Sequence, residues 1–171
     1  MNKTDKYYTP QWCIDAIFKE LEWGNVETFI EPCAGDGRII DSIFNLNEFA
    51  DVKATSYELD DGDDYLFFEI AIDTYSLCVT NPPFSLWIQF AERLLLECQS
   101  VIFLGRLSML GSQARKPFWE ENPLSHQWVL SKRAAFEGPA ANGKGTDNSE
   151  YAWFGWRCDE IAKRKPGIYH L

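Results

Sequence analysis

Val26-Glu27-Thr28-Phe29-Ile30-Glu31-Pro32-Cys33-Ala34-Gly35-Asp36-Gly37 reads as a short apolar strand, Val26–Ile30, running into a loop too rich in glycine for regular structure. Arg38–Leu46 then returns to helical periodicity. Strand, glycine bend and helix in that order open a parallel α/β unit. The alternation continues outward. Upstream, Ile14, Ile17, Phe18 and Leu21 fall at helical spacing within Pro10–Glu22, with Thr9 as N-cap and Pro10 in the first turn. Downstream, Val52–Tyr57 and Tyr75–Thr80 are predicted strands, Leu86–Cys98 an amphipathic helix and Val101–Leu104 a buried strand. Residues 106–125 are mixed, with a helical turn near Phe118-Trp119. Gln127–Leu130 and Tyr151–Trp156 are late strands flanking the glycine-rich Gly138–Thr146. With no helix between them they are predicted to pair antiparallel at one edge. Lys163–Lys165 with Pro166 reads as a solvated tail. The expected fold is a doubly wound, mostly parallel α/β sheet with an antiparallel C-terminal edge hairpin.

Composition supports one folded domain over residues 1–171. Of 171 residues, 46% are hydrophobic and 15% aromatic, which is ample for a core and argues against disorder. No apolar run approaches the ~20 residues of a membrane span, and Met1–Lys6 lacks a secretory apolar stretch; cytoplasmic residence is the default expectation. Five Cys without CxxC spacing and two His argue against a disulfide framework or a metal centre. Seven Trp leave open an exposed apolar patch that makes an interface. The net charge of −10 disfavours a generic nucleic-acid binder, yet it is unevenly spread. Residues 1–100 carry 6 basic and 19 acidic side chains, residues 101–171 carry 10 and 7. An acidic cofactor half and a mildly basic substrate half produce this pattern; so does a solvated acidic surface.

In an open α/β sheet ligands bind outside the carboxyl ends of the strands. The loops at 31–37, 58–64 and 81–84 each follow a predicted strand and should converge there. Glycines in Glu31–Gly37 allow positive φ and close backbone approach, for a ligand or simply for a tight turn. The loop is neither GxGxxG nor a phosphate-binding P-loop. Glu58 suits a ribose diol, having two acceptor oxygens and no donor, though a surface acid is as ordinary. Asp64-Tyr65 offers an acceptor and a ring for an adenine, or merely leads a charged loop into Leu66-Phe67-Phe68. Asn81-Pro82-Pro83-Phe84 is the sharpest signal. An aromatic amine is a poor nucleophile because its lone pair is conjugated into the ring. The Asn81 side-chain oxygen and the Pro82 carbonyl can accept its protons, draw nitrogen toward tetrahedral geometry and free the lone pair. The prolines fix that carbonyl's direction, and Phe84 supplies a face for a base.

Asn81-Pro82-Pro83-Phe84 resembles the (D/N/S)-P-P-(Y/F) motif of class I S-adenosylmethionine-dependent amino-methyltransferases, whose fold is Rossmann-like, in the form usual for N6-adenine DNA enzymes. Glu31, Pro32, Ala34, Gly35 and Gly37 look like their cofactor loop. Tyr8-Thr9-Pro10 is similar to their N-terminal cofactor element, where the helix start meets the methionine carboxylate. Glu58 matches their ribose-binding acid and Asp64-Tyr65 the pair at the cofactor adenine. The run Thr146–Trp156 resembles the tail of small phage-type adenine methyltransferases. The resemblance implies S-adenosyl-L-methionine as cofactor, DNA as partner with RNA possible, catalysis by Asn81, Pro82, Pro83 and Phe84, and Asn81 also beside the cofactor. Phe136 is the candidate second ring on the flipped base, or else a core aromatic. Arg106 and Arg133, with Arg115, Lys116 and Lys132, are candidate phosphate contacts or ordinary surface charges. Two departures stand out. Only 23 positions separate Glu58 from Asn81, so the intervening helix should be shortened or lost, and no separate target-recognition domain is visible. RNA adenine or protein glutamine as acceptor, and a non-catalytic cofactor-binding partner, are the rival expectations.

Overall fold

The computed structural model describes residues 7–45, 52–59, 62, 64–139, 141 and 148–171. Leu46, three members of the acidic stretch 60–64 and most of Gly138–Thr146 lie outside the described residues.

Seven strands form one sheet in the order β2-β1-β3-β4-β6-β5-β7. They are β1 (Thr28–Glu31), β2 (Lys53–Ser56), β3 (Tyr75–Thr80), β4 (Cys98–Arg106), β5 (His126–Val129), β6 (Tyr151–Trp156) and β7 (Gly167–His170). Strands β1 to β4 are mutually parallel, and β6 runs antiparallel to both β4 and β5. Side chains alternate across the sheet as a period of two requires. Phe29, Leu77, Val79, Ile102, Leu104 and Trp153 enter a core with α1 (Gln11–Phe18) and α2 (Arg38–Phe44). Ile30, Cys78, Val101, Phe103 and Phe154 face α3 (Trp87–Glu97) and α4 (Lys116–Glu121). This is the expected doubly wound α/β arrangement. No described helix is long and apolar enough to cross a membrane.

Three local expectations need correction. Helix α1 ends at Phe18 rather than Glu22 because residues 20–22 are captured by the C-terminal segment: Glu22 N–H donates to Ile161 O and Lys163 N–H to Glu20 O. Pro10, not Thr9, holds its N-cap position, without a side-chain cap. The hairpin of β5 and β6 forms on the antiparallel side of the sheet, as expected. The supposed tail after Pro166 forms β7, parallel to β5 in register His126↔Gly167 to Val129↔His170. Its inner face is only half-buried, so its apolar signal is thin. Trp23, Trp87, Trp128, Trp153 and Trp156 are buried, and among the exposed large apolar side chains Phe67, Phe68, Ile70 and Ile72 fall in one run.

That exposed run belongs to the crossover between β2 and β3, whose described residues include the 3₁₀ turn Tyr65–Phe67. A buried polar cluster fastens it to α3. The Glu97 carboxylate accepts from the Tyr65 hydroxyl, from Arg93 Nε at 3.1 Å and from Ala71 N–H at 3.1 Å. Arg93 also donates to Glu69 O at 3.0 Å, and its Cζ lies 4.1 Å from the Tyr65 ring centroid. Burial, then the bond to Glu97, pushes the Tyr65 phenol well above its ordinary range.

Candidate functional site

The carboxyl ends of β1, β2, β3 and β4 meet along one edge of the sheet, with Glu31 opposite Ser56 and Thr80 opposite Phe103. A cavity of about 330 Å³ opens there, within the size range of small-molecule sites. Gly35, Glu58, Asp64, Asn81 and Pro83 line it. All three loops singled out in the sequence therefore reach one crevice.

On the glycine side, Ala34 N–H donates to Tyr57 O at 2.9 Å, and Gly35 N–H donates to Glu58 Oε2 at 2.6 Å. The bend after β1 is thus laced to the end of β2. Gly35 has φ +61° and Gly37 φ +83°, conformations costly for residues bearing a Cβ. A Cβ on Gly35 would also lie 3.2 Å from Tyr8 Cδ1. Beneath the bend, Glu31 is 1% exposed, and its Oε2 has no hydrogen-bond partner among the described residues. Burial drives its carboxyl well above the usual range; the Ile40 N–H opposes this, while the charges of Asp36 and Glu58 add to it. Glu31 lines a small cavity of about 20 Å³ with Thr9, Ala34, Arg38 and Asn81, room for about one water. Tyr7, Tyr8, Cys33, Gly35 and Asn81 border both cavities.

Asn81 stands between glycine bend and aromatic side chains. Its Nδ2 donates to Tyr7 O at 3.0 Å, which turns Oδ1 away from that carbonyl as an acceptor. The Pro83 carbonyl takes the Leu86 N–H at 3.0 Å and so closes the turn. Among the described residues no donor meets the Pro82 carbonyl. Phe84 contacts Tyr7 and Tyr151, with ring centroids 6.1 and 5.9 Å away, and Arg106 Cζ lies 4.8 Å from its centroid. Phe136 joins the same cluster through Tyr7 at 5.9 Å and Tyr151 at 4.8 Å. Arg106 Nε donates to the Tyr151 hydroxyl oxygen at 3.1 Å.

Asn81, Phe84, Phe136 and Arg106 are thereby brought together. Thr9 lines the smaller cavity, Pro10 is buried and in neither cavity's lining, and Pro32 lines the larger one. Tyr65 lines it too, but its ring is stacked on Phe90 at 5.7 Å and covered by Arg93. Asp64 Oδ1 accepts from Leu66 N–H at 3.2 Å. Arg133 stands apart, exposed and 3.9 Å from Glu150. Arg115 points inward, donating to the carbonyls of Ser108, Met109 and Gly111, and Lys116 pairs with Glu120.

Sequence reasoning missed Tyr7, Arg38, Tyr151, and Phe67, Gln89 and Phe90 on the cavity wall. Arg38 holds the site's two halves together. It donates to both Asp36 carboxylate oxygens, to Thr9 O at 3.0 Å and to Glu137 Oε2 at 3.0 Å. Hydrogen bonds to Asp36, then to Glu137, outweigh its desolvation and hold it protonated above its ordinary range. Tyr8 and Glu137 form an antiparallel bridge beside it. A partner 99 positions away leaves no local signature; only Phe84's aromatic neighbours could have been sought as late-strand rings.

No protein-family model and no curated protein matches the sequence. Solved structures do match the fold. A Listeria monocytogenes protein assigned as a class I S-adenosylmethionine-dependent methyltransferase superposes with a TM-score of 0.64 at 12% identity, over 100% of this chain and 68% of its own. A Vibrio vulnificus protein assigned as the modification subunit of a type I restriction enzyme gives 0.60 at 15%, over 96% of this chain and 47% of its own. A Pyrococcus horikoshii protein assigned as an RNA methyltransferase gives 0.50 at 13%, over 94% and 88%. The chain thus spans about half the length of the restriction subunit. At these identities the likeness is one of fold, the Rossmann-like fold of class I methyltransferases.

Proposed function

We propose that this chain transfers a methyl group from S-adenosylmethionine to the exocyclic amino nitrogen of adenine in DNA. The observation that carries the reading is the Asn81 amide. Anchored through Nδ2 on the Tyr7 carbonyl, whose ring belongs to the aromatic cluster, it keeps Oδ1 as an acceptor on the wall of the glycine-lined cavity, one residue before the Pro82 carbonyl. Two acceptors from adjacent residues suit an amine with two protons and would leave its lone pair free to attack.

The cavity's residues fit the cofactor. Gly35 leaves the space that a Cβ would fill. Glu58 lines the larger volume as a diol acceptor, with Asp64 beyond it. The orphaned Oε2 of Glu31 in the adjoining small cavity suits an ammonium group, which would offset the burial of its charge. Held there, S-adenosylmethionine would supply a sulfonium-borne methyl: the N–C bond would form as the S–C bond breaks, the neutral thioether would leave, and the amine would give one proton to solvent. Phe84 and Phe136 give the base its faces, and fixing both reactants in one crevice supplies much of the rate. DNA as acceptor is supported by the form of the Asn-Pro-Pro-Phe turn, by the basic balance of residues 101–171 and by the likeness to a restriction modification subunit. The likeness to an assigned RNA methyltransferase favours RNA adenine as the second reading.

The test offers methyl-labelled cofactor with unmethylated DNA, RNA and protein in parallel. Label on DNA adenine is the expected outcome. Label confined to RNA or protein overturns the substrate, and cofactor binding without any transfer makes the chain a non-catalytic binder. Asn81→Ala should lower turnover by about 10²–10³, the usual cost of one such electrostatic contact, while cofactor still binds in calorimetry; turnover within about threefold of wild type would exclude Asn81 from catalysis.

A further inference from the structure

The space beside Phe84 that an acceptor ring needs is already filled. Tyr7 lies against Phe84 with centroids 6.1 Å apart and 29° between planes, and edge-on to Phe136 at 5.9 Å. Tyr151 meets the same two rings at 5.9 and 4.8 Å. The four centroids form a closed circuit whose sides all lie within the ~4.5–7 Å of direct aromatic contact. No further ring fits inside it. Arg106 covers Phe84 as well, so a base that stacks on Phe84 must take another group's place.

The four rings are not equally free to leave. Tyr151 belongs to β6 and is buried, its hydroxyl oxygen accepting from Arg106. Phe84 is fixed by the proline turn and Phe136 by the segment that bridges to Tyr8. Tyr7 is half-buried, and its backbone is held where its ring is not. Its carbonyl accepts from Asn81 Nδ2, and the next residue is bonded to Glu137 through its N–H at 2.8 Å. Rotation about the Tyr7 side-chain bonds can therefore clear the space without disturbing Asn81.

We infer that the Tyr7 ring occupies the acceptor site as a stand-in for the target base, and that an incoming planar ring displaces it while the Tyr7 carbonyl keeps hold of Asn81. The inference rests on the methyl-transfer reading and adds the residue that selects among acceptors. When one ring replaces another, Phe84 and Phe136 regain an aromatic neighbour. A planar heteroaromatic amine can supply that stacking and an aliphatic amide cannot. Tyr7 is then a specificity-determining residue that weakens binding of every acceptor unable to compensate for its displacement.

The sign of one substitution decides this. A stand-in must be evicted, so removing its ring tightens acceptor binding; a permanent wall of the site would be missed, so removing it weakens binding. Each ring contact is worth a factor of about 2 to 12, and two are broken. A single-stranded oligodeoxyadenylate carrying one 2-aminopurine is titrated by fluorescence against wild type, Tyr7→Ala, Tyr7→Phe and Tyr7→Trp. The expected Kd order is Tyr7→Ala about tenfold tighter than wild type, Tyr7→Phe within about twofold of it, and Tyr7→Trp weaker. Should Tyr7→Ala melt before assay, Tyr7→Leu keeps apolar volume without a planar ring and is expected to tighten binding likewise. Equal or weaker binding by the folded non-aromatic variant overturns the inference. Wild-type transfer of labelled methyl to the same oligonucleotide is scored separately, so its absence counts against the enzyme reading while the order of the Kd values judges Tyr7.

Discussion

Replacing Glu97 by alanine isolates the device that fastens the crossover between β2 and β3 to α3. Glu97 is 1% exposed and accepts from Tyr65, Arg93 and Ala71. Its loss leaves the Arg93 guanidinium, itself buried, with only the Glu69 carbonyl. Breaking a buried ion pair by deleting one partner costs about 3–5 kcal/mol, because the remaining charge is uncompensated. In a chain of this size each kcal/mol moves Tm by about 2–4 °C, so the melting point should fall on the order of 10 °C. The double replacement Glu97→Leu with Arg93→Met removes both charges and should recover most of that loss. Tyr65→Phe deletes one hydrogen bond and should cost about 1 kcal/mol. Thermal and urea unfolding followed by circular dichroism measure all three. If Glu97→Ala costs under about 1 kcal/mol, or the double replacement is no better than the single, the cluster does not hold the crossover and the reasoning fails.

Two further outcomes follow from the glycine bend and the acid beneath it. Gly35→Ala forces a Cβ onto φ +61° and to 3.2 Å from Tyr8, and should cost about 1–2 kcal/mol of stability with at least tenfold weaker cofactor binding in calorimetry; unchanged affinity would remove Gly35 from the cofactor site. Burial raises the Glu31 carboxyl well above its reference of 4.5, so the folded state holds its proton where the unfolded state has released it. Stability must therefore decline as pH climbs from about 4.5 toward the folded value, and Glu31→Gln should flatten that decline; parallel pH–stability curves for variant and wild type would contradict it.

Much of the fold was legible because its sheet is deeply buried. Tyr75–Thr80 and Tyr151–Trp156 matched their strands end to end, since both are mostly apolar or β-branched and are bounded by turn residues. Boundaries failed where a distant segment decided them. Residues 19–22 keep helical spacing, yet their backbone groups bond to residues 161–163. Val101–Leu104 was extended to Cys98–Arg106 because α3 passes into β4 without a linker, and Ser100 hides its hydroxyl against the Arg157 carbonyl. Strand β7 was missed because Ile168 and His170 face outward behind a charged run. In the site, loops that end strands were readable because topology collects them. Tyr7 and Arg38 were not, since their roles are set by Phe84, Phe136 and Glu137 across the chain.

Three consecutive residues, Tyr7 to Thr9, connect everything the proposed reaction needs. Tyr7 offers its carbonyl to Asn81, Tyr8 bridges to Glu137 on the acceptor side, and Thr9 gives its carbonyl to Arg38. Arg38 in turn grips Asp36 inside the glycine bend and Glu137 outside it. One cation shared by two carboxylates keeps the bend and the acceptor segment at a fixed separation, and a strap bonded to both sets where the Asn81 amide stands between them. Orientation of the amide, on which the proposed methyl transfer depends, is therefore tied to bonds that reach the glycine bend and the Glu137 segment. The same strap carries the ring proposed to move. A backbone anchor for the Asn81 amide and the proposed side-chain gate can share one residue, because rotation of the Tyr7 ring leaves its carbonyl in place.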